Sequence, residues 1–97
     1  MWERDGLRLR VMAPTATVDD PLPAEFGWVS AIARRTPTGP SVAGSATADG
    51  LDVLCVWAGG TLTAGRWRVQ VRAGETEASA RTIYDGTVTM LQTLTVP

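Results

Sequence analysis

Leu62-Thr63-Ala64-Gly65-Arg66-Trp67-Arg68-Val69-Gln70-Val71-Arg72 decides the fold class. After Gly65 the polar and apolar residues alternate without a break, so Trp67, Val69 and Val71 share one side and Arg66, Arg68, Gln70 and Arg72 the other. Successive side chains of a strand point to opposite faces of its sheet, and a period of two therefore predicts a strand with one dry and one wet face. A helix would scatter the same residues around its circumference.

The same reading extends outward in both directions. Toward the N-terminus, Leu7-Arg8-Leu9-Arg10-Val11 alternates in the same way, with its leucines and valine inward. Asp19-Asp20-Pro21-Leu22-Pro23 predicts an extended connection, because proline offers no ladder donor and restricts the residue before it. Phe26 to Ile32 predicts a second strand with Phe26, Trp28 and Ile32 on one side; a helix is the rival reading, and Gly27 with the β-branched and aromatic residues favours the strand. Arg34 to Pro40 is rich in turn formers and predicts an exposed loop. A weak strand over Val42 to Ala48 is closed by Asp49-Gly50, and Leu51 to Trp57, an almost wholly apolar run, predicts a central strand covered on both faces. After the Trp67 strand and a turn over Gly74 to Ala78, a strand runs from about Ser79 to Tyr84. Asp85-Gly86 marks a turn before a last strand, Thr87 to about Val96.

Seven short strands separated by Gly and Pro turns predict a single all-β domain over residues 1–97, an immunoglobulin-like antiparallel β-sandwich. The 13 threonines agree, since β-branched side chains suit a pleated sheet better than a helix. A chain of 97 residues buries roughly 60 to 65% of the surface it exposes when unfolded, enough for one core without staples.

Composition narrows the chemistry. Nine basic residues, all arginine, stand against ten acidic ones for a formal charge of -1, which implies no general attraction to nucleic acid or an anionic membrane. Arg66, Arg68 and Arg72, with Arg8 and Arg10, would form a positive stripe if their strands paired, but solvated arginines partly matched by cross-strand acids are the expected arrangement. No histidine is present, so Ser-His-Asp and Cys-His catalysis and mixed His/Cys metal sites are not expected. The lone Cys55 sits in the apolar run and is expected to be a small buried hydrophobe. Gly59-Gly60 lacks the lysine of a phosphate loop, and Asp19, Asp20, Asp49 and Asp52 lack the spacing of a calcium loop. No catalytic, cofactor-binding or metal-binding residue is assigned, and no enzyme is expected. Trp28, Trp57 and Trp67 are expected in the core, while Trp2 has no packing explanation from periodicity. Neither a signal peptide nor a membrane-spanning helix is visible in the sequence.

Asp49 to Trp57, then Leu62 to Arg72 with its Leu-x-x-Gly-x-aromatic start, then Thr82 to Met90, together resemble the immunoglobulin-like modules of tailed-phage virion proteins. The layout is similar to the N-terminal domain of siphophage baseplate upper protein and covers about half the chain. The resemblance implies a structural or adaptor component of a phage or phage-like particle, in tail, baseplate, neck or capsid decoration. Its partners would be copies of itself, as a homo-oligomer, and neighbouring virion proteins, with no small-molecule substrate, cofactor, specific nucleic acid or membrane. The expected location is the virion, after synthesis in host cytoplasm. No receptor-binding or fibre domain follows Pro97 in this sequence, which points to an adaptor, decoration or connector. Candidate contact segments are the Arg34 to Pro40 loop, the termini and the threonine-rich last strand. A carbohydrate-binding or adhesion module of the same fold is the alternative.

Overall fold

The computed structural model describes residues 6–12 and 25–91. Among them are seven strands: β1 (Leu7–Met12), β2 (Trp28–Arg34), β3 (Ser41–Ala43), β4 (Ser45–Asp49), β5 (Asp52–Trp57), β6 (Gly65–Gly74) and β7 (Arg81–Met90). They form two antiparallel sheets, a three-stranded one in the order β1-β5-β4 and a four-stranded one in the order β3-β2-β6-β7. The chain is an immunoglobulin-like β-sandwich. In the nomenclature of that fold β1, β5 and β4 take the places of strands B, E and D, and β2, β6 and β7 those of C, F and G, with β3 beside β2 as C′.

Alternation places the core between the sheets. Trp67, Val69, Val71 and Ala73 of β6 face Val53, Cys55 and Trp57 of β5, with Leu7 and Val11 of β1 and Ala31 and Ala33 of β2 completing the layer. Cys55 and Trp67 are buried as their patterns require. Two buried side chains lie outside the strands. Leu62 comes from the loop between β5 and β6, and Phe26 precedes β2, whose entry is fixed where its N–H donates to the Gly50 carbonyl at 3.1 Å. Each stops one end of the sandwich, and full burial of a side chain of this size contributes about 1.5–3 kcal/mol.

The structure revises four expectations. The run Val42 to Ala48 is two strands, because the backbone turns from one sheet to the other at Gly44, whose N–H donates to the Ala31 carbonyl. The last two predicted strands are one, because Asp85-Gly86 lies within the ladder: Asp85 pairs with Gln70 and Gly86 with Val69. Gly86 supplies space rather than a turn, since a Cβ there would meet the Tyr84 ring two residues earlier on the same face. Trp28 is not in the core, for β2 turns Val29, Ala31 and Ala33 inward and leaves Trp28 and Ile32 half-buried on the outer face. β5 is central in its sheet but not covered on both sides; Leu54 is 36% exposed on its outer face.

Turn chemistry was legible at Asp49-Gly50. Gly50 has φ of 64°, in the left-handed region where a Cβ is strained, and the hairpin closes with Asp49 directly opposite Asp52.

Candidate functional site

The two lateral sides of the sandwich differ. On one, β3 and β4 follow each other through Gly44, so the chain itself joins the sheets. On the other, β1 and β7 end their sheets with no strand beside them among the described residues. Between them lies a shallow groove of about 260 Å³, lined by Leu9, Arg10, Val11, Met12, Ile83 and Tyr84. That is smaller and flatter than the clefts that enclose small ligands, which run to roughly 300–1,000 Å³. Its chemistry is that of two sheet edges, where backbone N–H and C=O groups face outward.

The edges are guarded unequally. β7 carries a bulge: Val71 pairs with Tyr84 and Arg72 with Thr82, which leaves Ile83 unpaired and bends the edge. β1 keeps an unbroken register with β5 from Leu7 opposite Trp57 to Met12 opposite Asp52. Its outer residues are Arg8, Arg10 and Met12, the last 74% exposed. Arg10 leans back across its own sheet, donating through Nη2 to Asp49 at 2.9 Å and through Nε to Asp52 at 3.0 Å. Both aspartates from the discounted calcium cluster are thus engaged by a guanidinium, and Asp19 and Asp20 lie outside the described residues. Arg8, opposite Val56, makes no side-chain ion pair or hydrogen bond among the described residues.

The hypothetical joint arginine stripe does not form, because β1 and β6 belong to different sheets. On the outer face of the four-stranded sheet, Arg68 makes a two-pronged contact with Asp85, Nε to Oδ1 at 2.8 Å and Nη2 to Oδ2 at 2.6 Å. Arg72 lies over the Trp28 ring, 5.7 Å from its centroid. That guanidinium occupies one face of the half-buried indole. Of the Arg34 to Pro40 segment, Arg34 ends β2 and the rest is a largely exposed turn closed by Gly39 N–H to the Thr36 carbonyl, while the described part of the threonine-rich last strand, Thr87 to Met90, lies in the edge strand β7. The proposed terminal contact segments and Trp2 lie outside the described residues.

Arg35 was invisible to periodicity, since it sits just beyond β2. It lies 4.6 Å from the centroid of Trp67 and donates to Thr63 Oγ1 and, at 2.7 Å, to the Ala64 carbonyl. It ties the β5–β6 loop to the core tryptophan. Burial pushes the Cys55 thiol up, and no side chain that could act as its base stands among the buried residues. Among the described residues no group of three or more His, Cys, Asp or Glu is placed to hold a metal ion.

Asp85 gives the outer face of the four-stranded sheet a pH response. The Arg68 hydrogen bonds hold its carboxyl below the ordinary carboxylate range. Its folded pKa lies under the unfolded one, so the pair's contribution is present at neutral pH and lost as pH falls through the folded value. Thermal midpoints of wild type and Asp85→Asn should therefore differ at pH 7 and converge in strong acid. A gap independent of pH would remove the ion pair as its source.

Comparison with protein-family models, curated proteins and solved structures returns no match. The site is accordingly read from its own chemistry.

Proposed function

We propose that the chain is a structural or adaptor component of a phage or phage-like particle that works by protein–protein assembly and turns over no substrate. The observation that carries the assembly reading is the side between β1 and β7, open among the described residues, where one uninterrupted edge offers its backbone groups beside half-buried apolar side chains. A shallow strip of this kind suits a protein surface better than a small molecule. The particle itself is suggested by the resemblance of Asp49 to Met90 to tailed-phage modules. In an assembled state the domain would be expected to bury about 1,200–2,000 Å² in total against its neighbours.

A carbohydrate-binding or adhesion module is the second reading, favoured by the placement of Trp28 on an outer sheet face. Arg72 over the ring counts against it, because a stacking sugar would have to displace the guanidinium or use the other face.

The two readings separate in one set of measurements. Quantitative mass spectrometry of density-purified particles from a producing culture should find the chain in fixed proportion to the other virion proteins. A glycan array should give no micromolar binding. Absence from the particles would defeat the assembly reading, and glycan binding abolished by Trp28→Ala would replace it with the adhesion one.

A further inference from the structure

Among the described residues the three-stranded sheet has no strand on the outer side of β1. Strands B, E and D of an immunoglobulin-like sheet are flanked by strand A, which pairs with B, and here the corresponding edge of β1 is open among the described residues. Its partner sheet has four strands. A strand laid along β1 would equalise the two sheets, satisfy the outward backbone groups of β1 and cover the groove formed by Leu9, Val11, Ile83 and Tyr84. The bulge at Ile83 makes β7 the poorer template, and β3 has three residues only.

Charge decides what kind of strand fits. Side chains directly opposite each other on neighbouring strands share a face, and like charges there are destabilising. Pairing β1 with β1 of a second copy about a two-fold axis normal to the sheet, centred on Leu9, would set Arg8 opposite Arg10. A strand with an acid opposite Arg8 would instead meet the one arginine of β1 that has no counter-charge among the described residues. Arg10 is already matched by Asp49 and Asp52 and requires only a polar neighbour.

We propose that the β1 edge is a docking site for an extended segment of another protein, added antiparallel to β1, with an acidic residue opposite Arg8 and apolar residues opposite Leu9 and Val11. The backbone ladder would supply most of the affinity and the Arg8 contact the selectivity. This rests on the assembly reading and deepens it by naming the edge and the chemistry of the partner.

The test uses the full chain and a capped synthetic peptide, Thr-Val-Thr-Val-Glu-Val-Thr, with two controls: Glu replaced by Lys, and N-methylation of alternate amides. Backbone NMR and amide exchange are read residue by residue. The expected result is saturable binding, slowed exchange of the β1 amides that do not bond to β5, and shifts at Ile83 and Tyr84. The Lys peptide should bind about three- to fivefold more weakly, and the N-methylated one not at all. In Arg8→Glu the preference between Glu and Lys peptides should invert, which a change at this exposed position permits without loss of fold.

Equal binding of both peptides, perturbation centred on another edge, or no saturable binding would overturn the proposal. So would outward β1 amides that already exchange slowly in the free chain, which would mean that the chain covers its own edge, or in a homodimer, which would make the occupant a second copy. Particle incorporation with no peptide docking leaves the assembly reading standing and removes only this inference. Peptide docking by a chain absent from particles does the reverse.

Discussion

Trp67→Ala should lower the thermal midpoint by about 15 °C or more, among the largest losses expected from one truncation in this domain. Trp67 is 6% exposed, its Nε1–H donates to the Thr63 carbonyl at 2.8 Å, and Arg35 lies over its ring. Truncation removes the ring from the core, leaves a cavity and releases the loop that Arg35 and the indole hold together. Phe or Trp to Ala changes in cores typically cost about 3–5 kcal/mol, against a total stability of about 5–15 kcal/mol for a small domain. Trp67→Phe keeps most of the apolar volume and should lose much less, chiefly the hydrogen bond to Thr63. Chemical denaturation of the three proteins, with equal slopes, checks this. A Trp67→Ala chain as stable as wild type would place the indole on the surface and undo the inward face assigned to β6.

The ease with which β6 and β1 were read, and the trouble with β2, have one physical origin. From Arg66 to Arg72 of β6 every second residue is charged or amide-bearing, so the face that seeks water is unambiguous. In Trp28-Val29-Ser30-Ala31-Ile32-Ala33 the larger apolar residues, Trp28 and Ile32, lie on the outer side and the small alanines on the inner side, which reverses the usual ranking by size. The alanines face in because Ala31 and Ala33 stand opposite Val71 and Val69 in the ladder, beside a core that already holds two tryptophans. The indole of Trp28 is accommodated outside under Arg72. Periodicity reports which residues share a face, and partner strands decide which face is inside.

The candidate site was less legible than the fold. Its arginines and the threonines of its β7 edge could be read directly. What gives the β1 edge its meaning is topology: which strand has a neighbour, where the bulge falls, and that Arg10 is matched while Arg8 is not. None of these is local in sequence, for the partners of Arg10 lie 39 and 42 residues away.

Gly44→Ala is expected to be nearly as damaging as a core truncation, although it adds a single methyl to a half-buried corner. A Cβ at this position would lie 2.6 Å from Cε2 and 2.8 Å from Cδ2 of Trp57, inside any normal carbon–carbon contact. The ring cannot simply swing aside. Trp57 is 1% exposed, and its Nε1–H donates to the Val42 carbonyl at 3.0 Å, so moving it strains a packed core and breaks a partly buried hydrogen bond. Overpacking of this kind typically costs about 1–3 kcal/mol, to which the lost hydrogen bond adds about 1 kcal/mol. If the ring is the obstacle, the penalty depends on it. Trp57→Phe is itself destabilising, yet in that background Gly44→Ala should cost less by about 1–2 kcal/mol, a coupling readable in a double-mutant cycle of denaturation free energies. Simple additivity would mean that Gly44 is required by the backbone alone. The coupling matters beyond stability, because the Gly44 corner joins the two sheets on the side away from β1. A chain loosened there would lose the fixed spacing of β1 and β7 on which docking along the β1 edge depends.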